Sequence, residues 1–140
     1  GQIDLPTSVD DADWEQAIRV GLRSFHAVLL DHAAALELFA SRQVRSARSL
    51  GVLHWAHERF VAVGLSIEDA HMALHYAVSF VMGHAANQIR AEQPASELRE
   101  DVTSEIAAYF AEVDRITADE MFDSGLDLVV AGLRARYALP

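Results

Sequence analysis

Residues 64–94 read GLSIEDAHMALHYAVSFVMGHAANQIRAEQP, and this run sets the architecture of the chain. Ser66 is a favourable N-cap with Asp69 three positions on, and Leu65 stands where a hydrophobic staple would, so a helix starts here. No helix breaker follows before Pro94, which predicts a helix of about 26 residues, or roughly 39 Å. Its middle is apolar almost all round, whereas a helix that covers the core of a monomer needs one apolar stripe. We therefore expect the second stripe to face a partner chain.

Helical spacing continues on both sides of this run. Upstream, it predicts helices over residues 14–30 and 33–40, then a third helix that ends at Gly64. Downstream, it predicts a fifth helix over residues 100–113 and a sixth that opens at Thr117 with a complete capping box. No segment alternates in hydropathy as a strand does. The sequence therefore predicts an all-α fold of about six helices.

The first part of the chain shows no such periodicity. Residues 1–11 include Pro6, Thr7 and Ser8, and we interpret them as a linker whose leading Gly1 is a cloning remnant. The remaining residues, 12–140, are expected to form one domain, because 140 residues suffice for one well-packed domain and not for two.

Charge and composition exclude several classes of protein. Twenty-one acidic residues against eleven basic ones give a net charge of −10, so the chain lacks the basic face that phosphate-driven nucleic-acid binding needs. It contains no cysteine, which excludes disulfides, thiolate zinc sites and cysteine nucleophiles. No run of eighteen apolar residues and no signal-peptide pattern is present. We expect a soluble cytoplasmic protein that does not bind DNA or membranes through this chain.

Seven histidines are the strongest candidates for a chemical role. His71 and His75 stand at i and i+4 on one helix face, and His54 and His57 at i and i+3 on another, which is a spacing that can bind zinc. However, no HExxH motif occurs and no carboxylate lies at ligand spacing inside either apolar stripe. We expect no metal site, and histidines that are partly buried or on the surface. In the alternative interpretation, His71 or His57 forms a hydrogen bond to a small ligand.

Catalytic motifs are missing from the sequence. No GxSxG elbow, phosphate loop or dinucleotide fingerprint occurs, and neither does the paired-carboxylate di-iron pattern. We therefore predict no catalytic residue, no cofactor and no enzymatic activity. Arg42, Arg45 and Arg48 could mark an anion site, although a solvated loop is the favoured interpretation.

Four motifs point to a known family when they are taken together in order. They are Asp13-Trp14 with Ser24-Phe25 and Leu29-Leu30, FVAVGLSIEDA at 60–70, SFVMG at 79–83, and FDSGLDL at 122–128. The second resembles the Gly-apolar-Ser passage between two helices in C-terminal domains of TetR-type transcriptional repressors. The third and fourth are similar to that family's aromatic-apolar-apolar-Gly mark and its closing helix. The resemblance extends over residues 12–136.

This resemblance implies an all-helical effector-binding and dimerisation domain. Family members join such a domain to an N-terminal helix-turn-helix, which is missing from this chain, in agreement with its acidic charge. The implied function is to bind a small apolar or aromatic effector that shifts the DNA affinity of the helix-turn-helix. Two rival interpretations remain open at the sequence level. One is a small helical enzyme with an unrecognised site, and the other is a helical interaction module without a cavity.

The resemblance also implies a set of pocket residues. In tetracycline-responsive members a polar set and a histidine hold the drug and a magnesium ion, and three of those positions fall on Gly21, Phe39 and Ala56. None of the three can supply the hydrogen bonds or the metal ligand, so tetracycline–magnesium recognition is not expected, although Phe25 keeps its aromatic ring. The other lining positions fall on Leu53, His57, His71 and Leu74, and on Ile106, Phe110 and Val113 from the fifth helix of a second copy. The same residues would also be expected to face inward if this region were an ordinary hydrophobic core that binds no ligand.

The dimer interface is predicted on the fourth and sixth helices. Gly125 and Gly132 are seven residues apart on one face, where they would let another helix approach closely. With the second apolar stripe of the fourth helix, they predict a four-helix interface between two symmetry-related copies. Its expected residues are Tyr76, Phe80, Met82, Gly125, Leu128 and Gly132.

Overall fold

A computed structural model describes residues 14–40, 47–92 and 103–140, with the backbone alone for residues 35, 38–40, 47–50 and 52. These parts of the chain form helices α1 (Trp14–Asp31), α2 (Ala33–Ala40), α3 (Ala47–Ala62), α4 (Ile67–Ala91), α5 (Ser104–Val113) and α6 (Ala118–Tyr137), and they contain no strand. The predicted all-α class is confirmed. The predicted start of the fifth helix, residues 100–102, and the arginine-rich segment 41–46 lie outside the described residues.

α4 is the central helix of the described parts of the chain. Ser66 caps it by accepting a hydrogen bond from the backbone N–H of Asp69 at 3.1 Å. The helices α1, α2, α3 and α6 all pack against it. Its fully buried positions recur every three or four residues and are mostly alanines, which let neighbouring helices approach closely. They are Ala70, Ala73, Ala77, Val81 and Ala85.

α6 is fixed at its start by the predicted capping box. The Thr117 hydroxyl accepts from the backbone N–H of Glu120, and the Glu120 carboxylate accepts from the backbone N–H of Thr117. Further along, Phe80 of α4 lies directly over Gly125, where a Cβ atom would come within 2.5 Å of the ring. The close approach that requires glycine at 125 is thus made within one chain. At Gly132 an added Cβ would meet no atom of another described element within 4 Å.

An ionic and aromatic network joins the start of α1 to the end of α6. Glu15 pairs with Arg134 of α6, and Arg19 pairs with Asp127 at 2.7 Å. The Trp14 indole N–H donates to the carbonyl of Pro140 at 3.1 Å, and Arg134 also lies over the Trp14 ring. These contacts hold α1 and α6 side by side.

α5 makes no extensive contact with any other helix in the described parts of the chain. None of its residues is buried, and it does not pack along any other described helix. Ile106 and Phe110 are each 45% exposed and Tyr109 is 64% exposed. An amphipathic helix with an uncovered apolar face is the signature of a surface that another element covers.

Candidate functional site

The inner wall of the predicted pocket lies where α1, α3 and α4 meet. Ala56 of α3 is buried, and a Cβ on Gly21 of α1 would come within 3.8 Å of the Trp55 ring. Phe25 and Leu74 are half-buried and pack against the hydrophobic core. These four sequence-predicted residues thus lie on three helices that pack against one another, and Phe25 and Leu74 contact the common hydrophobic core.

The outer part of the predicted pocket is open to solvent. Leu53 is 41% exposed, His57 is half-buried and His71 is exposed. Nε2 of His57 lies 3.1 Å from the carbonyl oxygen of Ile67, at the first turn of α4. Because a carbonyl only accepts, Nε2 must carry the proton, which makes Nδ1 the acceptor of the neutral ring. His57 therefore offers a hydrogen-bond acceptor beside the exposed Leu53.

The remaining predicted residues of the pocket are not joined to this wall within one chain. Ile106, Phe110 and Val113 lie on α5, which packs along no other described helix. The side chain of Phe39 lies outside the described residues. In the described parts of the chain, the predicted pocket residues are thus divided between the packed helices α1, α3 and α4 and the exposed helix α5.

The residues predicted for the dimer interface divide into two groups. Tyr76 is 56% exposed and Leu128 is 72% exposed, on α4 and α6 respectively. Phe80 and Met82 are half-buried and pack against the core of their own chain. Tyr76, Leu128 and Gly132 are thus exposed on α4 and α6, two helices that pack against each other, and we call the exposed surface of these two helices the α4–α6 face.

The histidine pairs singled out from the sequence do not converge. His54 faces Glu58 at 3.8 Å on the surface of α3, and His71 and His75 are exposed on α4. In the described parts of the chain, no group of three or more histidine, aspartate or glutamate residues is placed to hold a metal ion. Within the same parts, no helix is long and apolar enough to cross a membrane.

Sequence reasoning missed a polar group inside the core. His26 is 7% exposed and stacks on Phe122 of α6, beside an open cleft of about 250 Å³ lined by Arg23, His26, Asp119, Phe122 and Asp123. Burial lowers the pKa of His26 below its usual value of 6.5, and the neighbouring His84 lowers it further. The sequence signal that could have identified this buried histidine is its position between Leu22 and Leu29 on the apolar stripe of α1.

Comparison with known proteins identifies the family. The model of the tetracyclin repressor-like C-terminal domain matches residues 5–137, which is nearly the whole chain. No curated protein and no solved structure matches significantly. The matched length, the all-helical fold and the ordered motifs agree with one another. The chain therefore belongs to the family of tetracyclin repressor-like C-terminal domains, a family of regulator domains.

Proposed function

We propose that this chain is the effector-binding and dimerisation domain of a TetR-like transcriptional regulator. In this proposal a small apolar or aromatic effector binds against the α1–α3–α4 wall, and α5 of a second copy completes the site. The observation that carries the proposal is α5 itself, a helix with an apolar stripe and no buried residue. In this proposal a second copy covers the stripe, which is exposed in the described parts of the chain.

The stripe on α5 has the spacing of a helix that packs on an apolar surface. Ile106, Phe110 and Val113 follow each other at i, i+4 and i+7, so they share one face. The wall opposite them in the proposed assembly includes the partly exposed Leu53. Burying both surfaces removes apolar area from water, which stabilises the complex by about 25 cal/mol per Å².

In the same proposal the two copies pair through α4 and α6. Tyr76 and Leu128 are too exposed for core residues, and Gly132 leaves room for another backbone to approach. Pairing this face with its symmetry mate forms a four-helix arrangement around a twofold axis. The twofold rotation that relates the two copies also makes the two effector sites of the dimer equivalent.

The wall favours an uncharged effector over a metal chelate. Gly21 and Ala56 stand where tetracycline-binding relatives are expected to carry polar or metal-binding groups, and neither has a ligand atom in its side chain. A drug-sized guest that buries roughly 300 Å² of apolar area gains about 7 kcal/mol before the cost of association is subtracted. His57 and His71 supply the hydrogen bonds that orient it.

In this proposal the effector regulates DNA binding because it has different affinities for two packings of the helices. An effector moves an equilibrium between two helix packings only as far as it binds one of them more tightly than the other. In this proposal the two packings hold the helix-turn-helix domains of a dimer in different positions, so that effector binding changes their affinity for DNA. The repressor role and the cytoplasmic location inferred from the sequence belong to this proposal.

The test is a thermal-shift screen of planar hydrophobic compounds, such as 2-naphthol, against strongly polar compounds, with and without magnesium. We expect the hydrophobic compounds to raise the melting temperature without magnesium. The variants Phe110→Ala and His71→Ala should reduce that shift, because they remove part of the lining. Ile116→Ala, an equally exposed apolar residue outside the site, is the matched control. Shifts by polar or magnesium-bound compounds alone, or hits that both variants leave unchanged, would overturn the proposal.

A further inference from the structure

Three helices meet around the ring of Phe122, near the start of α6. His26 of α1 stacks on this ring with the centroids 4.1 Å apart and the planes 9° apart. Phe80 of α4 also stacks on it, with centroids 5.7 Å apart. The N-terminal half of α6 is therefore anchored between α1 and α4 through a stack of rings, one of which can be protonated.

His26 is held in place by a polar contact as well as by stacking. Its Nε2 lies 3.2 Å from the amide oxygen of Gln88 on α4. Only 7% of the residue is exposed, so a charge on the ring would lose most of its hydration. The cleft of about 250 Å³ beside it gives protons a route to the ring.

A second imidazole lies next to the first. The rings of His84 and His26 have centroids 5.4 Å apart, and His84 is the same distance from Phe122. Nε2 of His84 is buried and has no hydrogen-bond partner within the part of the chain that the structure describes. A proton placed on that nitrogen would be a buried donor without an acceptor, which is unfavourable. Two protonated rings at this distance would also repel each other.

The charged and polar groups around the Phe122 ring have opposite effects on the pKa of His26. Asp119, at the start of α6, favours the protonated form of His26, as does the hydrogen bond to Gln88. Arg23 of α1 and Asp123 of α6 line the same cleft and form an ion pair at 3.3 Å, so they largely offset each other. Burial is the largest of these effects, and together with His84 it keeps the pKa of His26 below 6.5.

We propose that His26, with His84 beside it, makes the attachment of α6 sensitive to protons, so that the neutral ring of His26 holds the helix and its protonation loosens the N-terminal half of α6. This proposal does not depend on the effector site. The direction of the pH dependence follows from the linkage between proton binding and the opening of α6. With a lower pKa in the packed state than in the opened or unfolded state, the opened state binds protons first as the pH falls. The stabilisation is complete above pH 6.5 and decreases as the pH falls through 6.5 towards the pKa of the packed ring.

The test compares urea unfolding at pH 7.5 and pH 5.5 for the wild type, His26→Phe and His32→Phe. Phenylalanine at 26 keeps a ring against Phe122 but cannot be protonated. His32 is exposed at the end of α1 and is the matched control for the same substitution. We expect the midpoint to fall on acidification in the wild type and in His32→Phe, and to fall clearly less in His26→Phe. Equal losses in all three proteins would overturn the proposal.

A measurement on the wild type keeps the proposal testable if His26→Phe does not fold. NMR titration gives the midpoint of His26, and amide exchange reports opening of α6 once the intrinsic pH dependence of exchange is removed. We expect a midpoint below 6.5, and protection at Leu126 that decreases between pH 7.5 and 5.5 while that at Val81 in α4 decreases less. A midpoint of 6.5 or above, or equal changes in both helices, would overturn it.

Discussion

At the scale of single residues, Glu15 joins the two ends of the helical domain. Its carboxylate accepts hydrogen bonds from Arg134 of α6 and from Arg19, one turn along α1. The bond to Arg134 is the main reason why the pKa of Glu15 lies below its usual value of 4.5, and the bond to Arg19 is the second. The charged form is therefore favoured in the folded state. Glu15 thus stabilises the fold at neutral pH.

Glu15→Gln is expected to remove this stabilisation. The Glu15 side chain is 33% exposed and that of Arg134 is 42% exposed, so solvent screening limits the loss at pH 7 to about 1 kcal/mol. Because the folded-state pKa is lowered, the contribution is present above pH 4.5 and decreases as the pH falls through the folded-state value. Urea unfolding at pH 7 and pH 3.5 measures both differences. A variant as stable as the wild type at pH 7 would show that the network contributes nothing.

At the scale of the helix, the two glycines of α6 predict opposite results. In Gly125→Ala the new Cβ would lie 2.5 Å from the Phe80 ring, which is itself packed on Phe122. Overpacking costs about 1–3 kcal/mol, which exceeds the gain of about 1 kcal/mol in helix propensity. We expect a net loss of stability of up to about 2 kcal/mol in chemical denaturation.

Gly132→Ala is the counterpart within the same helix. Among the described residues, the added methyl group meets no atom of another element within 4 Å, so the isolated chain should gain about 1 kcal/mol from helix propensity. If Gly132 faces a second copy, the methyl group should instead raise the dissociation constant of the dimer. Sedimentation over a range of protein concentrations separates the two effects. A dimer that is unaffected would place Gly132 outside the interface.

The same helix shows what the sequence could predict and what it could not. The cap at Thr117 and the cap of α4 at Ser66 are local patterns, and the structure contains both. The sequence assigned Gly125 to an interface between two copies, but its close contact is with Phe80 of the same chain, because that contact depends on how two helices pack. His26 was missed for the same reason, since a histidine on an apolar stripe does not reveal which ring it will meet.

The candidate site was predictable only in part. The resemblance placed Leu74 and Ala56 among the pocket residues, and in the structure Leu74 is half-buried against the core and Ala56 is buried. The exposure of α5 could not be read from its sequence, because Ile106 and Phe110 form the same stripe whether the helix covers its own chain or another one. Which surface α5 covers depends on how the copies assemble and not on the sequence of α5 alone.

At the scale of the whole molecule, the account depends on a second copy. Leu128 is 72% exposed, so Leu128→Arg should change the stability of a single chain by no more than about 0.5 kcal/mol. In the proposed dimer the same change buries an unpaired charge, which costs several kcal/mol. The expected result is a folded monomer, with helical circular dichroism retained and the sedimentation coefficient reduced. A variant that stays dimeric would place Leu128 outside the interface.

The most direct test is the mass of the unmodified chain in solution. Sedimentation equilibrium at micromolar concentration and neutral pH measures it without assumptions about shape. The account predicts a species of twice the 15.4 kDa chain mass, in which α5 and the α4–α6 face are covered. A single species of 15.4 kDa would contradict it, since the α5 stripe and the effector site would then lack the second copy that the proposal requires.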